Sequence, residues 1–172
     1  IAASLRNNKT NTIGMVITWM NHPFLSSLTS GVEMAVTQAG YNVIISQSHD
    51  SFKSEIANAR ALFDSRVSGL IVSLAMETEN YDHFKQYIAN DIPLVFVDRV
   101  TEDLNTDVVV IDNFKAGFTA TEHLIEQGCK RIAYIGGSVR RNIYKGSMDG
   151  YIAALKEYNI PVDESLIIIN EK

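Results

Sequence analysis

Cysteine is nearly missing from this chain: Cys129 is the only one in 172 residues. An intrachain disulfide is thereby excluded, as is a zinc site built on a cysteine cluster. A reducing, cytoplasmic compartment fits. No stretch approaches the run of about 18 apolar residues that a bilayer-crossing helix needs, which predicts a soluble chain with no membrane partner. A basic segment followed by an apolar one, the mark of a secretion signal, is not seen at the start. The first residue is Ile1 rather than Met, and the expectation is that the sequence begins inside a longer product.

Catalytic signatures are equally scarce. After the first apolar run stands Trp19-Met20-Asn21-His22-Pro23 where a dinucleotide enzyme would carry G-x-G-x-x-G. There is no P-loop, no nucleophile elbow and no metal-binding histidine pair; His22, His49, His83 and His123 are scattered without ligand spacing. His123, beside Glu122, reads as a surface residue. No catalytic residue, metal or cofactor is expected, and the chain is not read as an enzyme.

What is present is an ordinary globular mixture, 46% apolar and 20% charged, which excludes disorder and collagen-like repeats. The net charge of −5 is uneven. Residues 1–12 hold Arg6 and Lys9 and no acid, leaving 13 basic and 20 acidic residues beyond them, a balance of −7. An acidic body repels nucleic acid, so any DNA contact is expected from the N-terminal arm.

Short apolar runs recur at 13–18, 43–46, 70–73, 94–98, 108–111 and 132–135. They are continuous rather than alternating, the pattern of strands covered on both faces in a parallel sheet. Helical stripes lie between most of them: Leu25, Leu28, Val32, Ala35 and Ala39, stopped by Gly40; Ile56, Ala59 and Phe63, after Asp50 and Ser51 as candidate N-caps; Tyr81, Phe84 and Ile88; Phe114, Phe118, Thr121 and Ile125, stopped by Gly128; and Met148, Ile152 and Leu155. Strand starts spaced by about 25–30 residues match the length of a βαβ unit. The link between Asp98 and Val108 is too short for a crossover helix. The fold class is therefore α/β, a doubly wound parallel sheet, whose ligands bind at the carboxyl ends of the strands near a topological switch point. The loops of interest begin at Trp19, Gln47, Leu74, Arg99 and Gly136.

The arm reads AASLRNNKTNTIG from Ala2 onward. Ile1 and Leu5 share one face of a short helix that Asn7 and Asn8 would end, and so short a helix is unstable alone in water. Composition alone reads it as a frayed end. Followed by a parallel-sheet strand, however, the string resembles the hinge helix and linker of the LacI family of repressors. The remainder is similar to the two-lobed, periplasmic-binding-protein type I-like sensor domain of that family through NHPFLSSLTSGVEMAVTQAGY (21–41), PLVFVDR (93–99), DNFKAGFTATEHLIEQGCKRIAYIGG (112–137) and DGYIAALKEYNI (149–160).

That resemblance implies a hinge at 1–12, a first lobe at 13–130 and, at 131–172, the start of an incomplete second lobe. It implies a transcriptional repressor with operator DNA, a small-molecule effector (a sugar or related metabolite) and a second copy of the chain as partners. A helix-turn-helix head would precede the hinge. Leu5 would wedge into a central base step of the minor groove with Ala2 and Ala3 near its floor, and Arg6 would add positive charge toward the phosphates. The exposed part of the helix around 81–88 is a candidate dimer contact. A periplasmic sugar-binding protein of a transporter shares the fold and is the alternative; an α/β enzyme is the third possibility.

The family's effector lies between the lobes, and carry-over by motif places Phe24 in its pocket with Asn21 and His22 beside it. The other reading makes Phe24 the first core residue of its helix, and Trp19 is open to the same two readings. Asp98 and Arg99 would hydrogen-bond ring hydroxyls, or form an internal ion pair that braces the loop. In the second lobe Ser147 stands where relatives usually carry an arginine three residues before a Gly-aromatic pair, here Gly150-Tyr151. Serine offers no bidentate fork, and Arg140, Arg141 and Lys145 are the possible substitutes.

Overall fold

The structure, a computed structural model, describes residues 10–171. The hinge residues Ala2, Ala3, Leu5 and Arg6 lie outside it.

The described residues fall into two compact units, dividing between Val109 and Val110. The first contains β1 (Thr12–Ile17), α1 (Pro23–Gln38), β2 (Asn42–Gln47), α2 (Phe52–Asp64), β3 (Gly69–Val72), α3 (Asp82–Ala89), β4 (Leu94–Val97) and β5 (Asp107–Val109). Its strands form one all-parallel sheet in the order β2-β1-β3-β4-β5. The interior strand β1 buries Met15, Val16 and Ile17 completely, as a continuous apolar run covered on both faces requires. The chain leaves β1 toward β2 on one side and returns to β3 on the other, so the switch point lies between β1 and β3.

Helix faces pack a core of Val16, Ala59, Leu62, Leu70, Phe84 and Phe96 with their neighbours. Phe84 meets Phe96 edge-on at 5.4 Å between ring centroids. Tyr87, fully buried, donates its hydroxyl to the Ala59 carbonyl, and burial pushes its phenol proton well above the usual range. Gly40 ends the turn after α1 at φ +80°, with Tyr41 N–H returning to the Val36 carbonyl; Gly128 does the same later at φ +86°.

The second unit contains α4 (Asn113–Glu126), β6 (Tyr134–Gly137), α5 (Asn142–Glu157) and β7 (Ile167–Asn170), with a 3-10 turn at Glu164–Leu166. β6 and β7 pair in parallel, Ile135 beside Ile168, and both of these isoleucines are exposed. Its core gathers Ile132, Tyr151 and Leu155, with the Tyr151 hydroxyl bonded to the Ile132 carbonyl at 2.9 Å. The two helices touch backbone to backbone. A Cβ on Gly117 would lie 2.2 Å from the Ser147 carbonyl oxygen, and one on Gly150 2.1 Å from that of Phe114.

The division falls ahead of the 130/131 boundary read from the sequence. That reading took the strand at 132–135 as the start of the second lobe, but α4, just before it, packs on α5 through these glycines. β7 was not read from the sequence at all.

Candidate functional site

In the first unit the carboxyl ends of β1, β2, β3 and β4 bring four of the five flagged loops to one edge of the sheet. At that edge Asp50 is the hub. Its Oδ1 accepts from the Arg99 guanidinium at 2.5 Å and from the Met76 N–H at 2.9 Å, and its Oδ2 accepts from the Trp19 indole N–H at 3.1 Å. The Arg99 side chain is 12% exposed and that of Asp50 29%, so this charge-assisted pair is partly shielded from water.

Arg99 thus forms an ion pair, but with Asp50 and not with its neighbour Asp98. Asp98 points elsewhere: the Ser73 hydroxyl lies 3.4 Å from its Oδ2. Burial pushes the Asp98 carboxyl above its usual value, while the Arg99 charge, the Ser73 hydroxyl and the His22 charge pull it back down. Asp98 has φ 61°, His49 φ 53° and Asp50 φ 62°. Asp and His tolerate this left-handed region better than most residues, and three such positions at one edge point to a shape held for a purpose.

Trp19 is 41% exposed and Phe24 46%, so neither is a core residue; Leu25 takes the buried place at the start of α1. The Trp19 ring stands edge-on to His49 at 4.5 Å and is pinned by the bond to Asp50. Its backbone turns through Met20, whose N–H donates to the Gln47 side-chain oxygen at 2.7 Å. Asn21 and His22 are exposed beside it. His22 is the N-cap residue of α1, followed by Pro23, yet its side chain makes no capping bond.

The structure therefore gathers Trp19, His49, Asp50, Asp98 and Arg99 at the strand ends, with Asn21, His22 and Phe24 on the turn into α1. Asp50 and His49 were missed as site residues. Of the two candidate caps, Asp50 and Ser51, it is Ser51 that caps α2, accepting from the Ser54 N–H at 3.5 Å. A shallow groove of about 470 Å³ lined by Ile92, Pro93, Asn105 and Thr106, among others, lies at the opposite, amino ends of β4 and β5.

In the second unit the Ser147 hydroxyl is committed to its own surroundings, 2.9 Å from the Tyr134 hydroxyl and 3.0 Å from the Ile143 carbonyl. Of the possible substitutes for an arginine there, Lys145 is tied to Asp149 at 2.7 Å on the surface, Arg141 is buried at the N-cap of α5, and Arg140 is exposed. Among the described residues no group of three or more His, Cys, Asp or Glu is arranged to hold a metal, and no helix is long and apolar enough to cross a membrane.

An indole, an imidazole, a guanidinium and carboxylates on the open end of a doubly wound sheet suit a small polyhydroxylated solute: rings for its C–H face, charges for its hydroxyls. Residues 10–170 match the family described as periplasmic binding proteins and the sugar-binding domain of the LacI family. The chain belongs to this family.

Among the relatives it resembles are repressors. The chain is 30% identical over 167 residues to the HTH-type transcriptional repressor PurR of Actinobacillus pleuropneumoniae, covering 97% of this chain and 49% of that protein. Against the PurR of Yersinia pestis it is 33% identical over 171 residues, covering 98% and 49%. A putative ribose operon repressor from Burkholderia thailandensis superposes with a TM-score of 0.88 at 25% identity, over 94% of this chain and 61% of that one. The chain spans about half the length of the curated relatives it matches.

Proposed function

We propose that this chain is the effector-sensing part of a ligand-responsive, DNA-binding transcriptional repressor. The observation that carries the reading is the Asp50 carboxylate, which sets an exposed indole and a guanidinium side by side at the carboxyl ends of the strands. The effector is a sugar or related metabolite, bound on the first unit by Asn21, His22, Phe24, Asp98 and Arg99, to which Trp19 and Asp50 are added. No covalent step is involved: Trp19 and Phe24 offer apolar faces, Arg99 donates hydrogen bonds and Asp98 accepts them. That the relatives named above are repressors favours the regulator over a transporter-linked binding protein of the same fold.

Residues 1–12 act as the hinge, with Leu5 as the apolar wedge, Ala2 and Ala3 near the groove floor and Arg6 toward the phosphates. Two copies of the chain present two hinges to one operator, and the exposed Ile88 on α3 is a candidate contact between them. Effector binding shifts the population of lobe arrangements and so alters operator affinity.

The test is paired. Calorimetric titration of the chain with D-ribose, D-glucose, D-fructose and their phosphates should show saturable binding to at least one, weakened at least tenfold by Arg99→Ala. With the complete gene product, the same sugar should change operator affinity in a gel-shift assay. Binding with no change in operator affinity would remove the regulator reading, and unchanged affinity in Arg99→Ala would remove Arg99 from the site.

A further inference from the structure

Four consecutive backbone amides follow β3, and each has an acceptor. Leu74 N–H donates to the Arg99 carbonyl at 3.1 Å, and Glu77 N–H to the Asp50 carbonyl at 3.2 Å. Between them Met76 N–H donates to Asp50 Oδ1 at 2.9 Å, and Ala75 N–H to Oε2 of Glu55 at 2.6 Å. The loop that supports both members of the Asp50–Arg99 pair is thus fastened to the body of the unit by Glu55.

Glu55 sits on α2 with no exposed surface. A buried carboxylate is costly unless polar groups surround it, and here three lie within reach, the Thr78 hydroxyl also 2.9 Å from the Ala75 carbonyl. Besides the Ala75 amide, the Thr78 hydroxyl lies 3.0 Å from each of its oxygens, and His83 Nε2 lies 3.0 Å from Oε1. The other ring nitrogen of His83, Nδ1, is buried without a hydrogen-bond partner among the described residues. A proton there would be an unsatisfied buried donor, so the imidazole carries its proton on Nε2, facing Glu55. Loop, helix α2 and helix α3 are therefore joined at one carboxylate.

We infer that Glu55 is a positioning residue for the effector site: by holding the Ala75 amide it fixes the 74–78 loop, which presents Met76 N–H to Asp50 and so sets Trp19 and Arg99. The inference rests on reading Asp50, Trp19 and Arg99 as the effector end. Glu55 touches no effector itself. Without its acceptor the Ala75 amide is orphaned, the loop moves, and the Asp50 carboxylate loses one of its three donors.

Trp19 is the only tryptophan in the sequence, which gives a reporter that needs no ligand. In a nitrogen–proton correlation spectrum of the intact chain its indole N–H is a single resonance, assigned by its loss in Trp19→Phe. Glu55→Met keeps the length of the side chain and removes the acceptor, whereas Glu55→Gln retains a carbonyl oxygen for Ala75. In Glu55→Met the indole resonance should move in the direction seen in Asp50→Asn, with solvent exchange about tenfold faster. In Glu55→Gln it should stay close to wild type. An unmoved resonance in a folded Glu55→Met, or equal shifts in both variants, overturns the inference. If Glu55→Met does not fold, Thr78→Val takes its place: a smaller shift in the same direction supports the role and none refutes it. A wild-type chain that binds none of the sugar probes but shows the indole shifts defeats the effector reading and leaves the positioning role standing. Sugar binding with a flat indole response does the reverse.

Discussion

Arg99 reaches back 49 residues to Asp50 and leaves its chain neighbour Asp98 to Ser73. Two acids at the same sheet edge are thereby given separate work. Asp50 takes donors from Trp19, Met76 and Arg99, and Asp98 carries the cost of burial beside Ser73.

Asp50→Ala should cost about 2 kcal/mol of stability, the scale of a hydrogen bond to a charged group lost while its partner stays shielded. It should also reduce sugar affinity. In a double-mutant cycle with Arg99→Ala the two losses should not add, because each variant breaks the same pair. Additive losses in denaturant melts would show that the pair is not energetically coupled.

Asp98 gives a pH dependence with a definite sign. Its folded carboxyl is raised above the ordinary 3.8, so the folded chain holds this proton more tightly than the unfolded one. Stability therefore falls as pH rises from the ordinary value through the raised one, and the cost of the ionised form is fully present above it. Asp98→Asn removes that cost, and asparagine accepts the left-handed backbone of φ 61°. The variant should melt at or above the wild-type temperature at pH 7, with the gap closing toward pH 4, while binding sugar more weakly. A lower melting temperature at pH 7 would contradict this account.

Phe24→Ala separates binding from folding. With the ring 46% exposed, stability should change by less than about 0.5 kcal/mol. Loss of its face against a sugar should weaken binding by about 1 kcal/mol, roughly fivefold. Calorimetry and thermal melts on one preparation distinguish the two effects.

The glycines of two helices should respond in opposite directions. Gly150→Ala drives a methyl group into the Phe114 carbonyl 2.1 Å away, and should cost about 3 kcal/mol or unfold the second unit. At Gly31, inside α1, an added Cβ meets nothing within 4 Å, so Gly31→Ala should add about 0.5–1 kcal/mol through helix propensity alone. Denaturant midpoints of the two variants are the measurement.

The strands were legible because burial on both faces leaves an uninterrupted apolar run, as in residues 13–17, and Gly40 and Gly128 marked helix ends through the conformation that they alone adopt cheaply. The inward faces of the helices were less so. The stripe at Ile56, Ala59 and Phe63 was one step off the true face of Glu55, Ala59 and Leu62, because a glutamate reads as solvent-facing until its partners are known. Those partners come from Ala75, Thr78 and His83, which no local periodicity connects to it. A motif drew attention to Arg99 and Asp98 but not to Asp50, whose contact with Arg99 spans 49 residues and whose positive φ composition does not display. The three successive isoleucines of β7 went unread beside the turn at Glu164–Leu166.

The first unit's side chains proposed to meet the sugar lie on connecting turns or in the first turn of α1, while Met15, Val16 and Ile17 of β1 are wholly enclosed. Taste and architecture are thus written in different residues. A change of preferred solute needs only a few replacements along one rim, and the core beneath need not register that anything has happened.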